Sequence, residues 1–271
     1  MSFAPGHVSL TFAIWPDKDL LKMGSTGIGI VLPQGVHCAV VKDQSEVKQN
    51  RVIRENKEVD DAVTLRAIDL LGFKDKSLTI YLRHDLPLGS GFGISGASAL
   101  AACLELEKNI DLCVKAAHQA EVEFRTGLGD VVAIAESIRQ TIFPAIVIRN
   151  TPGCNGKVDC AQIKENFAIC VSGLGRDTSK IISDEKWVEL INSAAIGIHF
   201  NHVNLRSAIK VGRLFTEKSG LIDDNISEIL NQMPLGTVSS VAHLGTSIIA
   251  TSEDIDTLSI SLEKFGEVRK Y

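Results

Sequence analysis

The residues best suited to chemistry lie in a glycine-rich segment at 87–97. It reads Pro-Leu-Gly-Ser-Gly-Phe-Gly-Ile-Ser-Gly-Ala, with four glycines between Gly89 and Gly96. Glycines let backbone N–H groups turn toward a ligand, and small side chains let that ligand approach closely. The helix predicted to follow, at about 97–106, adds free N–H groups and the positive end of its dipole. The segment therefore predicts a phosphate site that needs no basic side chain.

Other interpretations of this segment differ in what they require nearby. A glycine-rich turn packed against a neighbouring helix would need no ligand. The spacing Gly91-x-Gly93-x-x-Gly96 fits a dinucleotide-binding fingerprint, but that motif follows its strand directly and leads to a second strand. Here 83–87 intervene, and 97–124 is typical of two helices. A lysine-containing P-loop is excluded because Ala97 stands where its lysine is required.

Periodicity and turn residues predict the elements that position this segment. Strands are predicted at 8–14, 27–32, 36–41, 78–82, 145–149 and 167–172, with two more inside 237–251. Helices are predicted at 63–71, at 111–124 with Asp111 as N-cap, from about 130, within 187–215 and at 255–265, where a short tail follows. The polar stretch 42–61 favours a solvated hairpin or a loop. Residues 150–159 are typical of a linker, which divides the chain into two α+β halves, 1–155 and 156–271.

Composition limits the possible partners. The chain has 271 residues, 28 Lys and Arg against 33 Asp and Glu, and a net charge of −5. No global basic excess draws it to nucleic acid or to an anionic membrane surface. The longest uncharged run, 229–252, holds too many polar residues for a membrane span.

The cysteines and the N-terminus indicate the compartment. Six cysteines form no C-x-x-C pair, and the first residues lack the basic start and apolar stretch of a secretion signal. We therefore expect reduced, mostly buried thiols and a cytoplasmic location. The pair His199 and His202 has the spacing of a zinc site but no third ligand nearby. The basic residues Lys210, Arg213 and Lys218 indicate a solvated face.

Residues 87–97, written Pro-x-x-x-Gly-x-Gly-x-Ser-x-Ala, resemble the phosphate loop of the GHMP kinases, which include galactokinase, homoserine kinase and mevalonate kinase. That family continues with a helical glutamate and a glycine-containing turn ending in aspartate, which Glu121 and Asp130 match in order. Four segments are most similar to the archaeal pantoate kinase branch of the family, at 2–7, 24–29, 125–132 and 242–246. One departure is clear: the usual lysine followed by a glycine run is absent, and 241–250 keeps only Gly245.

The resemblance implies a two-domain α+β fold, with an S5-domain-2-like N-terminal half, a ferredoxin-like C-terminal half and a cleft between them. It implies that the loop holds the phosphates of ATP through Pro87, Gly89, Ser90, Gly91, Gly93, Ile94, Ser95, Gly96 and Ala97. Ser95 and Glu121 would bind Mg²⁺, a hard ion that prefers oxygen ligands. Asp130 would orient the acceptor hydroxyl and take its proton. Arg149 would pair with an acceptor carboxylate or with the transferring phosphate, and His7 and Ser25 would lie on the acceptor side.

Each of these residues also has a purely structural interpretation. Ser95 or Asp130 could be a helix N-cap. Glu121 could be a solvated helix residue, Arg149 a surface arginine, and His7 a structural turn residue.

The resemblance implies a kinase that uses ATP and Mg²⁺. Its expected acceptor is pantoate, phosphorylated on the terminal hydroxyl to 4-phosphopantoate in archaeal coenzyme A biosynthesis, and its expected assembly is a homodimer. Homoserine and shikimate are alternative acceptors. A nucleotide-binding regulator without turnover is the alternative from another functional class.

Overall fold

The computed structural model describes residues 1–43, 49–172, 178–198, 204–222 and 224–271. The N-terminal half forms an eight-stranded sheet of β1 (Ser2–Ser9), β2 (Ala13–Trp15), β3 (Gly24–Lys42), β4 (Arg51–Arg54), β5 (Lys57–Val59), β6 (Leu78–His84), β7 (Ala145–Arg149) and β8 (Val158–Gln162). The strand order is β5-β4-β6-β3-β7-β8, and β1 and β2 also pair with β3. Among these pairings only β4 with β6 is parallel.

The central strand β3 joins the two strands predicted at 27–32 and 36–41. Residues on both sides of its middle pair with β1, whose register shifts between Pro5 and His7. A Cβ on Gly35 would lie 2.2 Å from the Ala4 carbonyl oxygen, so only glycine lets β1 cross here. The strand predicted at 8–14 is interrupted between the end of β1 and the start of β2. In this interruption the Thr11 hydroxyl, and not a strand carbonyl, accepts a hydrogen bond from the Ile28 N–H at 3.0 Å.

The helices of this half pack together on the sheet. They are α1 (Ala62–Ile68), α2 (Ile94–Leu106), α3 (Ile110–Phe124) and α4 (Asp130–Gln140), and α2 contacts β1, β3, α1 and α3. A π-helical turn at Asp69–Phe73 extends α1 to Gly72, the residue at which the helix was predicted to end and whose φ is 86°. The predicted N-cap Asp111 is wrong, since the Asn109 side chain accepts from the Asp111 N–H. The hairpin predicted within 42–61 is present as β4 and β5 in its described part.

The C-terminal half forms a four-stranded antiparallel sheet of β9 (Ala168–Val171), β10 (Val238–Val241), β11 (Ile248–Thr251) and β12 (Glu267–Lys270), in the order β10-β11-β9-β12. Its helices are α5 (Thr178–Ser183), α6 (Glu185–Ala195), α7 (Leu205–Ser219), α8 (Asp224–Asn231) and α9 (Ile255–Leu262). Helices follow the first and third strands, as in a ferredoxin-like β-α-β-β-α-β arrangement. The predicted α+β class is confirmed. The predicted tail is wrong because it holds β12, and α8 was not predicted.

The connection predicted to link two domains lies inside the first sheet. Arg149 pairs with Val158 across the β7–β8 hairpin, so the glycine-rich stretch 150–159 turns the chain back along the same sheet. This sheet extends past the predicted division at 155. We propose that the division lies between Gln162 and Ala168.

Other predictions about the chain have mixed outcomes. All six cysteines are free and five of them are buried, as expected. Within the described ranges, no helix is long and apolar enough to cross a bilayer. His199 and His202 lie outside the described residues.

The end of the chain ties the two sheets together. The Tyr271 hydroxyl donates to Oε1 of Gln34 at 2.6 Å, and Arg269 donates to the same oxygen at 3.1 Å. The Tyr271 ring stacks on Phe167 with the ring centroids 4.9 Å apart. The two hydrogen bonds to Gln34 therefore connect the second sheet to β3, and the stacking on Phe167 holds the Tyr271 ring in place for one of them.

We predict that Tyr271→Phe lowers the free energy of unfolding by about 1 kcal/mol, because it removes one hydrogen bond. Tyr271→Ala should cost about 2–3 kcal/mol, since it also removes the stacked ring. Urea denaturation followed by circular dichroism measures both, with Leu235→Ala as control because the Leu235 side chain is fully exposed. An unchanged midpoint for Tyr271→Ala would contradict this coupling.

Candidate active site

The glycine-rich loop leads from β6 into α2 and leaves the start of that helix uncapped. Gly89, Gly91 and Gly93 have φ values of 75°, 90° and 60°, the left-handed region that favours glycine. Gly93 is the N-cap of α2, and because it has no side chain it makes no capping hydrogen bond to the first N–H groups of the helix. Ser95 lies within the first turn and is not the cap. The helix therefore directs unsatisfied N–H groups toward the loop, as an anion site requires.

The turn between β10 and β11 supports this loop from the second half of the chain. A Cβ on Gly245 would lie 2.1 Å from the Ser90 carbonyl oxygen, and a Cβ on Gly91 would lie 2.6 Å from the Ala242 carbonyl oxygen. The Ser247 hydroxyl donates to the Ser90 carbonyl at 2.7 Å. The single glycine of 241–250 is therefore a place of backbone-to-backbone packing, a role that sequence reasoning missed.

Glu121 is a buried acid and not a solvated helix residue. Only 2% of it is exposed, and the Thr126 hydroxyl donates to its Oε1 at 2.9 Å. A Cβ on Gly96 or Gly127 would lie 2.6 or 2.2 Å from its Oε2. Burial and the negative charge of Asp130 raise its pKa to about 8, against the opposing hydrogen bonds of Thr126 and Ser95. Without a cation nearby, Glu121 is mostly protonated at neutral pH.

Asp130 lies opposite, as the first residue of α4, where Gly129 is the N-cap. Its Oδ1 lies 2.6 Å from Nδ1 of His7. Burial alone would raise the pKa of Asp130, but the hydrogen bond from His7 and the positive charge of Arg149 lower it below its usual value. The two neighbouring acids therefore differ, with Asp130 ionised and Glu121 protonated.

His7 lies behind Asp130, packed against Gly29 of β3. It is fully buried, and a Cβ on Gly29 would lie 2.0 Å from its Nε2. Burial lowers its pKa more than Asp130 raises it, so the ring is neutral and its Nδ1–H donates to Asp130. The backbone N–H of His7 also donates to the Phe92 carbonyl at 2.9 Å, which ties β1 to the phosphate loop.

Arg149 is buried at the end of β7 and is not a surface arginine. Only 3% of it is exposed, and its Nη1 donates to Oγ of Ser25 at 3.1 Å. Its Nη2 lies 3.4 Å from Oγ of Ser9 and from the Thr11 carbonyl oxygen. Burial lowers the pKa of this guanidinium, and the charge of Asp130 opposes that effect. The Nε of Arg149 has no hydrogen-bond partner among the described residues.

These groups surround a cavity of about 340 Å³. Its polar lining includes Ser9, Ser25, Gly89, Gly91, Gly93, Ser95, Glu121, Thr126, Asp130, Arg149, Thr178 and Ser179, and its apolar lining includes Phe12, Ile94, Leu128, Ile182 and Leu244. Pro87, Ser90, Gly96, Ala97 and His7, all predicted at the site, are not among the lining residues. Thr126, Thr178 and Ser179 were not predicted. Of these three, only Thr126 could have been found from the sequence, because it begins the turn that ends at Asp130.

The arrangement separates several chemical tasks in one small space. The uncapped helix can hold an anion, while the Glu121 carboxyl and the Ser95 hydroxyl offer oxygen ligands for a hard cation. Asp130 can accept a proton from a hydroxyl, and Arg149 can pair with a carboxylate. Two acids held in opposite protonation states are typical of sites that perform catalysis at neutral pH.

Several known proteins are similar to this chain in sequence, and others in fold. Residues 61–137 match the family GHMP kinases N terminal domain. The pantoate kinase of Methanospirillum hungatei is 31% identical over 281 residues, covering 99% of this chain and 92% of that protein. The pantoate kinase of Methanocaldococcus jannaschii is 29% identical over 261 residues, covering 93% and 92%.

Solved structures confirm the expected fold. A protein described as a phosphotransferase related to the CoA biosynthesis pathway has a TM-score of 0.77 at 22% identity, covering 100% of this chain and 97% of that one. Lactococcus lactis galactokinase complexed with galactose has a TM-score of 0.64 at 11% identity, covering 100% and 92%. With the M. hungatei relative above 30% identity over nearly its whole length, the chain belongs to the pantoate kinases, a branch of the GHMP kinase family.

Proposed function

We propose that this chain transfers the γ-phosphate of ATP to the terminal hydroxyl of pantoate, giving 4-phosphopantoate and ADP for coenzyme A synthesis. The observation that carries the proposal is Asp130, held ionised by His7 at 2.6 Å next to an uncapped helix N-terminus. Phosphoryl transfer needs a positioned hydroxyl and stabilisation of charge more than it needs a covalent catalyst. The family relation and the geometry support the same chemistry.

The donor set fits a nucleotide with Mg²⁺. The loop and α2 offer N–H groups to phosphate oxygens, and Ser95 with Glu121 offers two oxygen ligands to the cation. The raised pKa of Glu121 is the sign of a buried carboxylate without a counter-charge, which a cation would supply. No cluster of three His, Cys, Asp or Glu side chains forms a metal site in the described parts of the chain, so the remaining ligands would be phosphate oxygens and water. When bound, Mg²⁺ neutralises charge on the phosphates.

The acceptor would lie between Asp130 and Arg149. Asp130 accepts a hydrogen bond from the acceptor hydroxyl and takes its proton as the new P–O bond forms. Because the pKa of Asp130 is low, its role is chiefly to orient the hydroxyl until late in the transfer. Arg149 pairs with the carboxylate of pantoate, and Phe12, Leu128 and Leu244 offer an apolar wall to the gem-dimethyl group.

Homoserine and shikimate also carry a carboxylate and a hydroxyl, and they remain the alternative acceptors. The regulator without turnover is the alternative of another class. A homodimer, which rests on the family resemblance alone, and a cytoplasmic location, which rests on the reduced cysteines, complete the proposal.

We predict that ADP release, measured by a coupled assay with pantoate, homoserine, shikimate and mevalonate, occurs with pantoate and depends on Mg²⁺. The carboxylate at Arg149 and the branched apolar wall together favour pantoate over the other acceptors. Release with another acceptor alone would reassign the substrate. ATP binding in calorimetry without release from any acceptor would favour the regulator.

We predict that Asp130→Asn lowers kcat by a factor of about 10²–10⁴, because the amide cannot take the proton of the acceptor hydroxyl. Its uncharged oxygen also accepts a weaker hydrogen bond from His7 than the carboxylate does. ATP binding measured by calorimetry should be retained, since the loop does not depend on this carboxylate. Asp111→Asn is the matched control, at the exposed start of α3. Turnover at the wild-type rate in Asp130→Asn would remove Asp130 from the mechanism.

We predict that Glu121→Gln abolishes activity yet stabilises the nucleotide-free protein at high pH. The folded-state pKa of Glu121 is about 8 against an ordinary 4.5, so the folded state binds this proton more tightly than the unfolded state. Its ionisation therefore costs stability progressively as the pH rises from about 4.5 to about 8. The Tm of the variant should match that of the wild type near about pH 5 and exceed it near about pH 8.5.

The adjacent Glu123 is the control for this effect, because Arg66 lowers its pKa. Glu123→Gln should give no gain of Tm at high pH, since it removes a favourable charge pair. A Glu121→Gln protein that is no more stable than the wild type at high pH would contradict the buried uncompensated charge.

A further inference from the structure

A second cavity of about 790 Å³ lies beyond the acceptor end of the active site. Residues of β2, β3, β7, β8 and α6, together with those just after β7 and α6, line this cavity. They include Trp15, Ile28, Ile148, Asn150, Asp159, Asn192, Ile196 and Ile198. Among the described residues that line either cavity, only Phe12 and Arg149 line both. These two side chains therefore form a partition between the two spaces.

The partition is firmly held on both sides. Phe12 is only 6% exposed and packs on Phe215 and His243, with ring centroids 5.4 and 6.0 Å away. A Cβ on Gly27 would lie 2.1 Å from the Thr11 carbonyl oxygen and 2.8 Å from Cα of Phe12, so β3 also fixes the backbone there. On the other side, Arg149 donates to Ser25. Neither half can swing aside without breaking these contacts.

The two halves of the partition differ in chemistry. The Arg149 guanidinium selects an anionic group and can also donate to a neutral carbonyl. It therefore discriminates charge, but it does not limit the size of a group attached to that carbonyl. The Phe12 ring offers no hydrogen bond and only occupies space, so it can exclude a longer molecule by steric contact.

We propose that Phe12 is the residue that limits the length of the acceptor at its carboxylate end, an inference that rests on the proposed function. With the carboxylate of pantoate at Arg149, any group attached to that carboxylate would have to pass Phe12 into the second cavity. Pantothenate, the β-alanine amide of pantoate, is such a molecule and keeps the same terminal hydroxyl. Removal of the ring should open a path for its tail beside Arg149, toward Asn150 and Asn192.

The test measures kcat/KM for pantoate and for pantothenate by ADP release. The wild type should favour pantoate, and Phe12→Ala should raise the ratio of pantothenate to pantoate by about tenfold or more. Phe12→Leu should raise the ratio less, and it carries the test if Phe12→Ala fails to fold. Trp15→Ala is the matched control, because Trp15 lines only the second cavity and is 52% exposed, and it should leave the ratio unchanged.

The outcomes distinguish a failure of the proposed function from a failure of the role assigned to Phe12. A wild type that does not phosphorylate pantoate refutes the proposed function. A wild type active on pantoate, with folded Phe12 variants whose ratio does not change, refutes the partition and leaves the function in place. A Trp15→Ala protein whose ratio rises as much as that of Phe12→Ala would also overturn the assignment to Phe12, because it would place the barrier within the second cavity.

Discussion

The site depends on two neighbouring acids, the buried Glu121 and the partly buried Asp130, whose joint ionisation is unfavourable when no cation lies between them. Asp130 has His7 and Arg149 to stabilise its charge, while Glu121 has only the hydroxyls of Thr126 and Ser95. This difference in neighbouring groups determines the protonation state of each acid: the pKa of Asp130 is lowered and that of Glu121 is raised. The site is therefore short of positive charge at Glu121, and a cation that arrives with phosphate would supply what the protein leaves out.

Several positions around the site must be glycine because the side chains of the site fill the space that a Cβ would need. Gly96 and Gly127 leave the room that Oε2 of Glu121 occupies, and a Cβ on Gly129 would lie 2.1 Å from Nη1 of Arg149. Gly29 does the same for the His7 ring. None of these four glycines is among those with a left-handed φ, so they are needed for space and not for turn geometry. The same residue type serves conformation at Gly89, Gly91 and Gly93.

The order of the motifs along the chain, through the family resemblance it carries, was enough to predict the α+β fold. It also selected Glu121 and Asp130, which the structure places next to each other. The position of His7 was not predictable, because it depends on the register shift of β1 next to it and on long-range packing against Asp130. The hairpin at 150–159 has the same composition as a linker, so local residues do not distinguish the two. β12 is a short and partly exposed edge strand, and its sequence carries little periodicity.

The second half of the chain determines the shape of the phosphate loop although it adds few charged groups to the cavity. Neither 87–97 nor 241–250 contains a lysine, so within these two segments the proposed phosphate binding depends on the direction of the backbone N–H groups. Two side chains of the C-terminal half support the loop: Arg269 donates to the Asp85 carbonyl just before it at 2.6 Å, and Ser247 donates to the Ser90 carbonyl within it at 2.7 Å. Since backbone dipoles act on a ligand only when they converge, the close contact of Gly245 with Ser90 supports the arrangement of N–H groups on which the proposed phosphate site depends.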